Sequence, residues 1–247
     1  MGIELDIIAA EVKICQKCDL CNTRIKAVPG KGNPNAAVIL VGEAPGRSED
    51  KLGEPFVGSA GSKLDSILNE IGIKREDVYI TNIVKCRPPD NRIPTKEEEL
   101  ACLEYINHEI STINPKVICV MGNTAYGTLL NGKEITKNHG KFVEKDGRTF
   151  FVTYHPAATI YNQKLITDLK NDFRKLAEFL KNDDSHEISN SNGFEERWCN
   201  YCIAKTKHVV VKKPKIVTRK RRWLFKCTKC NHEYWLQPYR TVAESLY

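Results

Sequence analysis

The stretch VILVGEAPGRSED (residues 38–50) begins as an apolar run and stops at a glycine, an acid and a proline. A short apolar run bounded by turn residues reads as a buried strand. It belongs to the first of four Val- and Ile-rich runs, AAVILVG (36–42), VYITNIV (78–84), KVICVMG (116–122) and RTFFVTY (148–154). Segments 61–72, 95–112, 123–131 and 164–182 alternate with them and carry apolar residues at three- and four-residue spacing, the period of amphipathic helices. This alternation predicts an α/β domain with a central four-stranded parallel sheet flanked by helices. Sites in such sheets lie beyond the carboxyl ends of the strands, which here read GEAPG, TNIVKCRPP, MGNTA and YHPAA. Glu43, at the mouth of the first strand, is therefore the first candidate for chemistry.

The 247 residues suit one well-cored domain and a small appendage. No run of about 18 apolar residues exists, and the N-terminus MGIELDIIAAEVK is acidic with too short an apolar part for a secretory signal. An intracellular protein with no membrane span, expected to be a monomer, follows. In a reducing compartment ten cysteines, many in Cys-x-x-Cys pairs, point to metals rather than disulfides. The formal charge of +7 suits a polyanionic partner. Composition divides the chain into a domain at 1–181, a polar aperiodic linker at 182–196 and a second module at 197–247.

In the second module Cys199, Cys202, Cys227 and Cys230 form two Cys-x-x-Cys knuckles 24 residues apart. Four thiolates suit a structural Zn2+ in a zinc ribbon, the metal replacing a core too small to form. His232 is an alternative ligand by position, with a solvated histidine the preferred reading. Between the knuckles KTKHVVVKKPKIVTRKRRWLFK carries ten Lys or Arg among Val, Ile, Trp223 and Phe225. Such interleaving suits backbone tracking and base stacking on nucleic acid; a solvated charged hairpin, or a surface for a replication or repair protein, is the other reading. The N-terminal run CQKCDLC holds Cys15, Cys18 and Cys21. A ferredoxin-like cluster needs a fourth cysteine close after Cys21 with a proline beside it, and CNTRIKAVP has neither. Cys119, inside an apolar strand, reads as a small core residue.

From about residue 10 to 181 the sequence resembles the family 4 uracil-DNA glycosylases, thermophile-type enzymes holding an iron-sulfur cluster. The resemblance rests on GEAPG at 42–46 followed by ED at 49–50, GEPFVGSAG containing Phe56, TNIVKCRPP containing Asn82, HPAA containing His155, and the spacing of Cys15, Cys18, Cys86 and Cys102. It implies a [4Fe-4S] cluster on those four cysteines, structural rather than redox-active, with Cys21 and Cys119 spare. It implies uracil-containing DNA as partner and a base pocket of Gly42, Glu43, Ala44, Phe56, Asn82 and His155, in which Glu43 and His155 are catalytic. The C-terminal ribbon lies outside the resemblance.

The chemistry asks for these residue types. Cutting an N-glycosidic bond in duplex DNA requires extruding the nucleotide into a closed pocket. Phe56 suits an aromatic platform, with core packing as the alternative. An asparagine amide offers one donor and one acceptor, matching the O4 and N3–H edge of uracil and opposing that of cytosine; Asn82 otherwise caps its loop. Cleavage leaves a cationic sugar and a uracil anion, so His155 is a donor for O2 and Glu43 a carboxylate for the sugar side or the attacking water. Glu49 either assists Glu43 or is a solvated loop acid, the second being the preferred reading. No lysine stands in a motif position for a Schiff base, so simple hydrolysis without strand cleavage is expected. Gly58, Ser59, Gly61 and Ser62 open a helix whose amides suit a phosphate, Arg87 and Arg92 are further backbone contacts, and Ile160 or Tyr161 is the wedge into the duplex. Two rivals are a glycosylase of another family with broader base range, and a non-catalytic metal-containing nucleic-acid-binding module, which needs neither Glu43 nor His155.

Overall fold

The computed structural model of the chain describes residues 3–182 and, beyond them, 194–199, 204–217, 220–227, 229 and 233–236. Two compact units divide it, Met1–Asn182 and Asp183–Tyr247. The first contains α1 (Ile3–Ile14), β1 (Lys31–Gly32), β2 (Val38–Gly42), α2 (Arg47–Leu52), α3 (Ser59–Glu70), β3 (Tyr79–Asn82), α4 (Lys96–Ile113), β4 (Val117–Met121), α5 (Asn123–Leu130), α6 (Ile135–Asn138), β5 (Lys141–Lys145), β6 (Arg148–Thr153), α7 (Ala158–Tyr161) and α8 (Leu165–Asn182).

Every residue of β2 and β4 is buried, as expected of strands covered on both faces. Helix α4 starts at Thr95, whose hydroxyl accepts from the Glu98 amide while the Glu98 carboxylate accepts from the Thr95 amide at 2.8 Å. This reciprocal pairing satisfies donors that the first turn leaves free. Asn114 ends the helix in the left-handed region, and Pro115 prevents its continuation.

The sheet order is β1-β3-β2-β4-β6-β5. β3, β2, β4 and β6 run parallel, corresponding to the four expected strands. The sheet nevertheless has six strands rather than four, because β1 and β5 add antiparallel edges. β1 is two residues long, too short to carry a pattern. β5 and β6 form a hairpin through Asp146 and Gly147, both at positive φ (52° and 70°), so the EKDGRT segment is an Asp-Gly turn whose twist suits a hairpin. The residues of β5 are exposed or half-buried, so the strand carries no continuous apolar run.

β2 pairs with β3 on one side and β4 on the other. The chain leaves β2 for one neighbour and later returns to the opposite one, making the carboxyl end of β2 the switch point where open α/β sheets form a crevice.

The second unit contains β7 (Phe194–Cys199), β8 (Ala204–Val217), β9 (Lys220–Cys227) and β10 (Glu233–Leu236), antiparallel in the order β10-β9-β8-β7. β7 begins at Phe194, inside the expected 182–196 linker. Cys202, Cys230 and His232 lie outside the described residues. Among the described residues no helix is long and apolar enough to cross a membrane.

Candidate active site

Gly42 and Asn82, the last residues of β2 and β3, stand in register at the switch point. The pairing puts a residue without a Cβ beside an amide, and the space is used closely. A Cβ on Gly42 would lie 2.5 Å from Asn82 Oδ1 and 2.6 Å from Phe56 Cζ. Asn82 is 2% exposed, and its Oδ1 is a buried oxygen with no hydrogen-bond partner among the described residues. A buried acceptor left unpaired costs about 1–3 kcal/mol, a cost that a ligand donor would remove. Asn82 therefore does not serve as a loop cap through that oxygen.

Phe56 is buried at 4% exposure, with φ at 52°. Left-handed backbone is costly for a bulky residue. What holds it there is α3: a Cβ on Gly61 would meet Phe56 O at 2.0 Å, so the first turn of the helix lies directly on the Phe56 carbonyl. The ring faces His155, with centroids 5.5 Å apart and planes 33° apart. Phe56 thus packs in the core and also borders the Gly42–Asn82 crevice.

His155 follows β6. Its Nδ1 accepts from the Ala157 amide at 3.2 Å, which fixes the neutral tautomer carrying the proton on Nε2. Burial pushes its pKa down to about 4, against a smaller upward pull from the Glu49 carboxylate. The ring is consequently a neutral Nε2–H donor at physiological pH.

Glu43 leaves β2 with its backbone still paired: Val84 N donates to Glu43 O at 3.1 Å, and Ile83 N to Gly42 O at 3.0 Å. Its side chain is held by Thr124, whose hydroxyl donates to Oε2 at 2.5 Å. Thr124 is buried near the start of α5. Thr124 lies in the polar strand end MGNTA, the sequence signal that points to it, although nothing in the local sequence links it to Glu43. Gly122 in the same segment has φ of 93°, and a Cβ there would lie 3.0 Å from His155 Cβ.

Glu49 is not the solvated loop acid expected. It is 8% exposed and accepts from Gly46 N at 3.1 Å, Val57 N at 2.9 Å and Gly58 N at 2.7 Å. One carboxylate therefore binds the GEAPG loop to the Phe56 loop. Being third in α2, it reaches back to the helix start, while the two remaining amides come from a loop eight residues onward. Asp50 beside it is 2% exposed and accepts from Ile25 N and Lys26 N.

Gly58 caps α3, and Ser59, Gly61 and Ser62 form its first turn. Gly58 N is taken by Glu49 and Ser62 N by Gly58 O, leaving the amides between them as the donors of a helix start. Ser59 and Ser62 are exposed and Gly61 is buried. Ile160 is 45% exposed on α7, and Tyr161 ends that helix. Arg92 commits its fork to Glu98, at 2.6 and 2.9 Å, and Arg87 donates to Asn91 Oδ1.

The strand that ends in Asn82 is anchored from below. Glu109, fully buried, pairs with Lys85 Nζ at 2.7 Å and accepts from Thr81 Oγ1, Tyr79 OH and Gly30 N. An ion pair this dry needs such additional bonds to balance its desolvation.

Cys15, Cys18, Cys86 and Cys102 are free thiols, the last two buried. Cys18 lies within the electrostatic reach of Cys15, Cys86 of Cys18 and Cys15, and Cys102 of Cys86 and Cys18. Burial raises the Cys18, Cys86 and Cys102 thiols, Cys102 to about 11. Arg24 donates to Cys86 Sγ at 3.0 Å and to Cys15 O at 2.8 Å. Among the described residues no three His, Cys, Asp or Glu side chains are placed to hold one metal ion. Arg24 thus joins the Cys15 backbone to the Cys86 thiol, and the four cysteines come from three separate segments of the chain. Cys21, half-buried, bonds weakly to Asn22, and Cys119 is wholly buried in β4.

The sequence profile of the uracil DNA glycosylase superfamily matches residues 29–181. The chain is 46% identical over 186 residues to the Type-4 uracil-DNA glycosylase of Saccharolobus solfataricus, covering 71% of this chain and 86% of that protein. It is 45% identical to the Type-4 enzyme of Archaeoglobus fulgidus, over 70% of this chain and 92% of the relative. With that of Thermotoga maritima it shares 42% identity, over 72% and 95%.

Proposed function

The chain belongs to the uracil DNA glycosylase superfamily, and from that premise we propose how its residues flip uracil out of DNA and hydrolyse the N-glycosidic bond, leaving an abasic site. It is a uracil-DNA glycosylase, a hydrolase of N-glycosyl bonds. The observation that carries the pocket assignment is the buried, unpartnered Oδ1 of Asn82.

Uracil N3–H is the donor that this oxygen lacks, and the amide nitrogen of Asn82 matches O4. Cytosine presents an acceptor at N3 and a donor at C4, so both groups of Asn82 would face their like. Phe56 is the stacking platform, and Gly42 and Ala44 let the ring approach the β2 end. His155 donates from Nε2 to O2 as negative charge develops on the departing base. Being neutral beforehand, the ring acts as a hydrogen-bond donor rather than as an imidazolium acid. Glu43, oriented by Thr124, stabilises the cationic sugar and orients the water that attacks it. The α3 start formed by Gly58, Ser59, Gly61 and Ser62 holds a phosphate beside the flipped nucleotide through the amides that Glu49 and Gly58 O leave open, and Ile160 or Tyr161 fills the duplex. No lysine is assigned a Schiff-base role, so the reaction ends at the abasic site.

Cys15, Cys18, Cys86 and Cys102 would hold a [4Fe-4S] cluster; the four neighbouring free thiols support that reading. Bound, it supplies a structural tie among the N-terminal segment, the exit of β3 and α4. Cys199, Cys202, Cys227 and Cys230 would hold a structural Zn2+. In support, Cys199 pairs with Ala204 and Cys227 with His208, register positions on one face of the sheet. The domains act as a glycosylase at 1–181 and a ribbon module at 197–247, in an intracellular monomer.

The test uses labelled oligonucleotides containing one uracil, with cytosine, thymine and hypoxanthine controls, scored for alkali-labile abasic sites. Release of uracil alone is expected, with Asn82→Ala slower by about 5- to 150-fold, as loss of contacts worth about 1–3 kcal/mol requires. Protein that binds DNA but frees no base would replace this reading with the binding-module one. Iron and sulfide content of the purified protein, beside Cys86→Ser, tests the cluster separately.

A further inference from the structure

Directly paired residues share one face of an antiparallel sheet. In the second unit, β9 places Arg221, Trp223, Phe225 and Cys227 on one face, opposite Ile216, Val210 and His208 of β8 and Leu236 and Tyr234 of β10. That face is mainly apolar and includes the cysteine positions 199 and 227. The opposite face contains Lys205, Lys207, Lys212, Lys215, Lys220, Arg222 and Lys226, with Trp198, Leu224 and Trp235 among them. Its acids, Glu196 and Glu233, stand opposite Lys207 and Lys226, away from the β8–β9 turn.

Near that turn the described pairs are Lys212 with Leu224, Lys215 with Arg222 and Val217 with Lys220. Lys215 and Arg222 are like charges placed directly across the ladder, an arrangement that destabilises a sheet. Lys220 stands two residues, about 7 Å, from Arg222 along β9. A polyanion lying along both strands would turn this repulsion into binding.

We propose that this face of the C-terminal sheet binds the phosphate backbone of DNA without reading its sequence. Duplex DNA carries about one negative charge per 1.7 Å of axis, a continuous partner for cations spread over two strands. An acidic protein surface would have to reproduce that spacing with separate carboxylates. Tethering such a surface to a domain that engages one nucleotide raises the local concentration of DNA. The proposal goes beyond base excision and is tested without it.

The experiment measures binding of the full metal-loaded chain to uracil-free duplex across a salt series. The quadruple variant Lys212→Gln/Lys215→Gln/Lys220→Gln/Arg222→Gln is compared with Arg197→Gln/Arg221→Gln on the opposite face. The plot of log K against log salt should become shallower by up to about 3–4 in the quadruple variant, at about 0.9 per phosphate contact, and stay unchanged in the control. Lys215→Gln alone should lower the slope by about 1 without loss of thermal stability, because it removes a like-charge pair; this guards against misfolding of the quadruple variant. Uracil release at saturating DNA should match the parent rate. An unchanged slope in the quadruple variant, or an equal fall in the control, overturns the proposal; the unchanged slope would leave an acidic protein as the fitting partner.

Discussion

Adding one methyl group at Gly42 tests the pocket without removing any functional atom. The new Cβ of Gly42→Ala would stand 2.5 Å from Asn82 Oδ1, and 2.6 and 2.8 Å from Phe56 Cζ and Cε2. Ordinary contact lies near 3.5–4.0 Å for carbon pairs, so the ring and amide together must yield about 1 Å. Phe56 has little room to retreat: Gly61 presses on its carbonyl, and His155 faces its ring with centroids 5.5 Å apart. The misfit therefore falls on the proposed base pocket. A displacement of about 1 Å at reacting groups costs on the order of 100-fold in rate, or about 2.7 kcal/mol of transition-state stabilisation. Overpacking should lower stability by about 1–3 kcal/mol. Single-turnover uracil release at saturating enzyme, with DNA affinity and urea unfolding measured in parallel, gives the answer. The expected result is a rate about 100-fold lower on a folded enzyme whose affinity for uracil-free DNA is unchanged. A rate within threefold of the parent would show that Phe56 and Asn82 do not define the reactive pocket.

Three further outcomes follow from the same geometry. NMR titration of the His155 ring should give a midpoint near 4, so its protonation should leave the rate flat from pH 8 to 5.5. The sign follows from the depressed pKa: between about 6.5 and 4 the unfolded chain binds more protons, so this residue makes stability fall as pH falls through that window. A midpoint at 6.5 would contradict the buried neutral donor. Glu49→Ala strips an acceptor from three backbone amides and should destabilise the first unit by about 2–5 kcal/mol, read as a lower urea midpoint; an unaltered midpoint would mean that water replaces the carboxylate at no cost. Thr124→Val removes the hydroxyl that orients Glu43 and should slow uracil release about tenfold through loss of one charge-assisted bond, with unfolding hardly changed. Full activity in that variant would make Thr124 a packing residue.

The four parallel strands and their polar carboxyl ends are legible in the residues alone, because buried strands require continuous apolar runs and abrupt turn residues. The sequence also singles out Glu43, Asn82 and His155 as strand-end groups suited to the chemistry. The edge strands were less legible: β1 has two residues, and β5 shows mixed polarity, although the Asp146–Gly147 turn was a usable sign. Glu49 could not be distinguished in sequence from a solvated acid, since its burial depends on amides of Val57 and Gly58 brought to it by the folding of another loop. Only tertiary structure joined Thr124 to Glu43 across 81 positions and set Gly42 against Phe56 and Asn82. The physical reason is range: strand burial and turn chemistry are written within a few neighbouring residues, whereas the tautomer of His155 and the unpaired oxygen of Asn82 depend on which groups the completed sheet brings together and which water it excludes.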